Sequence, residues 1–283
     1  MEKDHPYRGR QALLTSKHHK LELIAPAFQQ SVGLHVDEVP LDTDQLGTFS
    51  GEIERHFPPL ETAIAKARLG MSERGTSLGI ASEGSIGPDP LVPFITADIE
   101  HLVLVDDERG IVISEVYRSL DIRAAQIEIA PEADLSEFLA RADFPHHALI
   151  VRPREGDTSR VIKGITDLAQ LHTAIASCAK ESKTGFVVIE SDLRAHHSPS
   201  RGRNIEAVAR ALAARVSRLC PQCHTPGWGR VGYEKGLRCG TCNTLIPEAI
   251  KQELLGCTLC DHKEAGEIVA QVADPSICPQ CNP

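Results

Sequence analysis

Aromatic residues are scarce in this chain: 4% of 283 residues, with one Trp, three Tyr and seven Phe, and Met occurs only twice. Any sizeable core must therefore be aliphatic, and Val, Ile, Leu and Ala do dominate the periodic stretches. Long apolar runs are also missing. None approaches eighteen residues, so no helical membrane span is expected. There is no excess of basic charge: 30 Lys and Arg stand against 39 Asp and Glu, a net charge of −9. That balance gives no support to general duplex binding. The stretch Met1–Arg10 lacks the apolar segment of a secretory signal, and a cytoplasmic protein is expected. What remains is ordinary globular composition, with 41% hydrophobic and 24% charged residues, too apolar for a disordered chain.

The length exceeds one typical domain. Periodicity predicts an α/β body over residues 1–218, with a mixed sheet flanked by helices and a sub-boundary near 145. A C-terminal zinc-ribbon module is expected over 219–283. Residues 11–30 read as strand, polar turn and helix, and a loop with Asp42, Asp44, Gly47 and Gly51 follows. Leu60–Met71 has the composition of a helix, with Gly75 past its end. Leu78–Ala81 reads as a short strand ending in Ser82-Glu83-Gly84-Ser85. The runs His101–Val105 and Ile111–Tyr117 flank a five-residue turn and predict a hairpin. Leu135–Arg141 is a short helix. Strand Ala148–Val151, helix Ile165–Ala179 and strand Phe186–Ile189 suggest a βαβ unit with parallel strands. Ile205, Val208, Ala209, Leu212, Ala213, Val216 and Leu219 then mark one face of a long helix.

That helix runs straight into cysteines. Four knuckles follow: Cys220-Pro-Gln-Cys223, Cys239-Gly-Thr-Cys242, Cys257-Thr-Leu-Cys260 and Cys278-Pro-Gln-Cys281. Two cysteines three apart can curl round one ion, since the tight turn presents both sulfurs to it. A second pair completes a tetrahedral zinc shell, and the intervening lengths suit a zinc ribbon. Eight thiolates imply two Cys₄ zinc sites. Sequential pairing (first knuckle with second, third with fourth) is expected over interleaved pairing, because shorter loops cost less closure entropy. Complete shells leave no open position, so the zincs are expected to be structural. His224 and His262 adjoin knuckles but are not needed as ligands. Cys178, alone on a helix, reads as a buried apolar residue.

Three polar clusters in the body carry a functional reading. Thr15-Ser-Lys-His-His-Lys20 joins a strand to a helix N-terminus and could cradle a phosphate. Glu61, Lys66, Glu83 and Ser85 combine a helix and a strand end, where carboxylates could hold Mg²⁺ on a phosphorylated ligand. Asp192, Arg194, His196 and Arg201 follow an apolar strand, where open α/β sheets bind ligands. His146-His147 reads as structural or solvated. Arg194, Arg201, Arg203, Arg210, Arg215 and Arg218 form a local basic segment.

Two family resemblances rest on these residues. Gly47-Thr-Phe-Ser-Gly-Glu-Ile-Glu-Arg55, Ala81-Ser-Glu-Gly-Ser85, Asp192-Leu-Arg-Ala-His196 and Cys278-Pro-Gln-Cys-Asn-Pro283 resemble a bacterial family known only as a domain of unknown function. Residues 11–120 also resemble the inosine triphosphate pyrophosphatase superfamily. Its Thr-x-Asn-x-x-Lys turn is similar to Thr15–Lys20, with Lys17 in place of Asn. Its helix with an acid and a Lys-Ala pair is similar to Glu61, Lys66 and Ala67, and its acidic strand end to Glu83-Gly84-Ser85. The second resemblance implies triphosphate and Mg²⁺ binding. The leading expectation is therefore a Mg²⁺-assisted nucleotide hydrolase, with Lys20 and Lys66 neutralising phosphate and Glu61 and Glu83 holding metal or activating water. The alternative is a zinc-ribbon module that binds nucleic acid or protein, carried on a non-catalytic scaffold.

Overall fold

The computed structural model describes residues 5–16, 19–41, 57–155 and 160–283. The expected glycine-bearing loop at 42–51 and the Gly47–Arg55 segment lie outside them, as do Lys17 and His18. The chain opens with β1 (Gln11–Thr15), α1 (Leu21–Val32) and β2 (His35–Val39), and β2 pairs parallel to β1. Gly33, at φ +67°, closes α1: its N–H donates to the Gln29 carbonyl and the Leu34 N–H to the Phe28 carbonyl, a turn that favours glycine. After α2 (Pro59–Arg74), β3 (Leu78–Pro88) adds to the other side of β1, again parallel. β4 (Thr96–Asp106) and β5 (Ile111–Ser119) complete an antiparallel meander. The result is a mixed five-stranded sheet in the order β2-β1-β3-β4-β5.

A second sheet follows, built from β6 (Gln126–Ile129), α3 (Ser136–Ala142), β7 (Leu149–Pro153), β8 (Ile162–Ile165), α4 (Leu168–Glu181) and β9 (Val187–Ser191). Its order is β6-β9-β7-β8. The chain then returns to the first sheet through a short 3-10 turn (Ala195–His197) and α5 (Pro199–Val216). Three antiparallel strands, β10 (Gly229–Arg238), β11 (Leu245–Gly256) and β12 (Lys263–Ile268), carry the cysteine module. Among the described residues no helix is long and apolar enough to cross a membrane.

The aliphatic patterning explains the layers. α1 and α5 cover one face of the first sheet, where Phe28, Ile205, Val208 and Leu212 pack on Leu14, Ile80, Leu102 and Leu104. α2 covers the other, with Ala63, Ala67 and Met71 on Ala81, Val103 and Val105. Small residues let α2 approach closely. A Cβ on Gly70 would sit 2.0 Å from Thr15 Oγ1, and one on Gly79 would sit 2.6 Å from Met71. A separate aliphatic core, including Phe138, Leu149, Leu171, Ile175 and Ile189, fills the second sheet. Cys178 is buried in it, as expected, with its thiol 3.6 Å from the Val151 carbonyl.

Three expectations are corrected. The strand at 78 does not stop at Ala81. It runs to Pro88 and pairs residue by residue with β4, so Glu83 lies within a strand, opposite His101. β4 begins at Thr96 rather than His101, is eleven residues long and pairs with β3 throughout, past the two glycines. The pairing of β7 with β9 is antiparallel rather than parallel. β8 reverses the chain beside β7 before the helix begins, so α4 delivers β9 in the opposite sense. Ile165 accordingly closes β8, and the helix starts at Leu168, capped by the Asp167 carboxylate on the Gln170 N–H at 2.8 Å, as an N-cap acid does.

The cysteine module is seated on the edge of the first sheet. Arg215 of α5 donates to the Ser114 carbonyl at 2.9 Å and to the Gly227 carbonyl at 3.2 Å. Gly227 has φ +96°, and a Cβ there would lie 2.7 Å from the buried Ile113 side chain. Gly227→Ala should therefore lower stability by about 3 kcal/mol through strain and overpacking. Gly232→Ala, in open space without positive φ, should change it by under about 0.5 kcal/mol. Denaturant melts of the two variants check this contrast.

Candidate metal centres and a buried charged site

The cysteine knuckles repeat one local geometry. In the first, Cys220 N–H donates to the Thr225 carbonyl and His224 N–H to the Cys220 carbonyl. In the second, Cys239 N–H donates to Thr244 and Asn243 N–H to Cys239. His224 and Asn243 take φ of 60° and 63°, which tightens each loop so that both sulfurs face inward. Backbone amides also reach sulfur, with Leu259 N–H and Cys260 N–H at 3.3 and 3.4 Å from Cys257 Sγ.

The sulfurs converge into two tetrads. Cys220, Cys223, Cys257 and Cys260 form one, and Cys239, Cys242, Cys278 and Cys281 the other. Pairing is therefore interleaved, contrary to the sequential expectation. The residues between consecutive knuckles are not slack loops. They are the extended strands β10 and β11, and ten residues of strand span about 33 Å. Neighbouring knuckles thus end up at opposite ends of the three-stranded sheet, and alternate knuckles meet. Sulfur–sulfur separations of 3.7 and 3.5 Å in the first tetrad, and 3.8 and 3.5 Å in the second, match the edge of about 3.8 Å expected for a tetrahedron with zinc–sulfur bonds of about 2.3 Å. These tetrads could hold zinc. The Thr244 hydroxyl holds Cys242 down to about 6, while the bond to Cys242 pushes Cys281 up.

A second constellation lies at the carboxyl end of β1. α1 leaves that end over one face of the sheet and α2 covers the other, while β2 and β3 flank β1. This is the switch-point geometry where open α/β sheets leave a crevice. Lys20, just before α1, is 7% exposed and donates to Ser82 Oγ at 2.8 Å. Burial, then the nearby charge of Arg201, pulls its pKa down to about 8, against the attraction of Glu100 and Glu83. Across the sheet, Lys66 of α2 pairs with Glu83 at 2.5 Å. Arg201 of α5 is buried and pairs with Glu100 of β4 at 2.6 Å, while its other arm donates to the Leu193 carbonyl at 2.7 Å. Burial opposes the Glu100 charge, but Arg201 and Lys20 outweigh it and hold its pKa below the ordinary value. Gly84 permits this packing, since a Cβ there would meet the Arg201 guanidinium at 2.3 Å.

The sequence-derived residues divide accordingly. Lys20 and Arg201 lie on the α1/α5 face of the sheet and Lys66 with Glu83 on the α2 face, the two pairs within electrostatic reach of each other. Thr15 is buried at the end of β1, and its hydroxyl has no hydrogen-bond partner among the described residues. α2 runs antiparallel to β3, with Met71 beside Gly79 and Lys66 on Glu83. A helix rises about 1.5 Å per residue and a strand about 3.3 Å, which brings Glu61 level with Ser85, farther out; both are exposed. Asp192 is buried and engaged: it accepts from Gly164 N–H at 3.0 Å, Arg194 N–H at 3.2 Å and Arg194 Nη2 at 2.5 Å, and so clamps β9 to β8. His196 lies edge-on to His19 at 5.8 Å and against His197 at 4.1 Å. Burial lowers the pKa of both His196 and His197. His147 is buried between Asp143 and Ser200, and His146 is exposed.

Glu100, Asp98, Asn204 and Ser82 escaped the sequence reading. Their signal was present as polar residues on apolar faces. Asp98 and Glu100 share the alternation of Leu102 and Leu104, and Arg201 and Asn204 continue the stripe of Ile205 and Val208. Glu61 and Glu83 do not form a metal cluster. Among the described residues, the only groups of three or more His, Cys, Asp or Glu side chains close enough to hold an ion are the two tetrads.

The interleaved arrangement is testable by metal content. Replacing Cys220 and Cys257 together with Ser should remove one zinc per chain and leave the other. Replacing Cys220 and Cys239 should remove both. Sequential pairing predicts the reverse, and mass spectrometric zinc counting distinguishes them.

No characterised protein and no solved structure shows a significant match to this chain, so the inosine triphosphate pyrophosphatase resemblance finds no support there. Residues 66–283 match the family described as Domain of unknown function (DUF6671), and the chain belongs to that family.

Proposed function

We propose that the carboxyl end of β1 binds a small phosphorylated ligand, of the nucleoside triphosphate class, and hydrolyses it, while the cysteine module is a structural zinc unit. Buried Lys20 carries this reading. A desolvated ammonium bonded to a hydroxyl, crowded by Arg201, is a standing demand for an anion. In this reading Lys20 and Lys66 neutralise phosphate, and Glu83, oriented by Lys66, activates water. Any Mg²⁺ arrives on the phosphates of the ligand rather than in a cage supplied by the protein.

The rival reading, a nucleic-acid surface on the arginine segment, is less favoured. Arg194, Arg201, Arg203, Arg210 and Arg215 pair with Asp192, Glu100, Asp121, Glu206 and Glu115 respectively. A neutralised row makes a weak phosphate track. The decisive screen measures hydrolysis across nucleotides with and without Mg²⁺ or Mn²⁺. Lys20→Met should reduce turnover by about 100-fold and Glu83→Gln by at least about tenfold, with zinc content unchanged. No turnover on any nucleotide, with nucleotide binding indifferent to Lys20→Met, overturns the proposal.

A further inference from the structure

Asp98 and Glu100 stand two residues apart on β4 and point to the same face, both fully buried. Each has one oxygen committed: Asp98 Oδ2 accepts from Asn204 Nδ2 at 2.8 Å, and Glu100 Oε1 accepts from Arg201 at 2.6 Å. The remaining oxygens, Asp98 Oδ1 and Glu100 Oε2, have no hydrogen-bond donor among the described residues. Two ionised carboxylates only accept, and an orphaned buried acceptor is costly. Alternate residues of one strand are neighbours on the same face, so one proton between the two carboxyls resolves the conflict. A metal ion there is disfavoured by the Arg201 guanidinium, and an anion by the carboxylates themselves.

We propose that Asp98 and Glu100 share a single proton, and that this proton sets the charge of the anion site at Lys20. The second half rests on the phosphate-binding reading above. With the proton in place, Lys20, Lys66 and Arg201 stand among three carboxylates, Glu83, Glu100 and Glu38, the last accepting from the Lys20 backbone N–H at 3.2 Å. When the proton leaves, a fourth negative charge is added and the site turns against anions. Burial, followed by repulsion from Glu100, raises Asp98 to about 7, so the change falls near neutral pH. The groups facing the pair are Arg201 and Asn204 from α5, Lys20 from the start of α1, and Tyr117, opposite Glu100 on β5. β3 offers Gly84 and Ile86 opposite the pair, neither titratable. His19, His196 and His197 titrate nearby, and Lys20 loses its own proton near pH 8, which fixes the useful window.

Sulfate is the probe, because its charge is constant across that window. Sulfate affinity of the full chain is measured by calorimetry at pH 5.5 and 7.5, in wild type and Asp98→Asn. The histidines contribute equally to both proteins. The wild type should lose about fourfold more affinity than the variant over this interval, as the protonated fraction falls to about a quarter. Equal losses overturn the linkage. Infrared spectroscopy of the wild type alone guards against a misfolded variant. A protonated carboxylic acid band should persist at pH 6 and vanish by pH 8.5, and its absence at pH 6 overturns the shared proton. If the band is present but sulfate binds at neither pH, the phosphate reading fails while the shared proton stands.

Discussion

The buried ion pair between Arg201 and Glu100 is the constraint on which the first sheet and its site depend. Arg201 enters after the chain has left to build the second sheet and returned. Its guanidinium fixes the first turn of α5 on β4, and its second arm holds the Leu193 carbonyl of the loop leading back from β9. Removing either partner would leave a charge buried without compensation, a cost of about 3–5 kcal/mol. The pair also dictates its neighbours. Residue 84 must be glycine, Lys20 is crowded by Arg201 and drawn by Glu100, and the Glu100 charge adds to burial in raising Asp98. The structural clamp and the charged cluster beside Lys20 thus share the same atoms.

The cysteine module obeys a different constraint, strand length. Closure entropy favours joining neighbouring knuckles only when the intervening chain is flexible. Here that chain is spent on β10 and β11, whose cross-strand pairing holds it extended. Interleaving then ties both ends of one small sheet, so each tetrad braces the three strands rather than closing a single loop. The first tetrad adjoins Gly227 and Arg215 at the edge of the main sheet, and the second closes the far end around Leu237, Ile246 and Ala249. A zinc ion held by four cysteines would have no open position for a substrate.

Much of this was legible in the residues. The α/β class, the eight knuckle cysteines, the β4–β5 hairpin and the long α5 follow from periodicity and from polar residues at element ends, whereas the spatial relation of Lys20, Glu83 and Arg201 does not. What was not legible depends on long-range pairing. The pattern around Ile162–Ile165 is too short and polar to announce a strand, and missing it inverted the sense of β9. Ser82–Ser85 reads as a turn by composition, because nothing local reveals that β4 pairs along its whole length. Asp98 and Glu100 look like ordinary strand acids until α5 places Arg201 and Asn204 over them. Asp192 and Arg194, legible as a polar pair, serve each other and Gly164.

The central claim is that the carboxyl end of β1 is an anion site built round Lys20. Anomalous diffraction from crystals soaked in tungstate, a tetrahedral oxyanion that stands in for phosphate, tests it most directly. The expected map shows an ordered tungstate within hydrogen-bonding reach of Lys20, lost in Lys20→Met. Tungstate ordered only on the outer surface, with the Lys20 crevice clear, would contradict it.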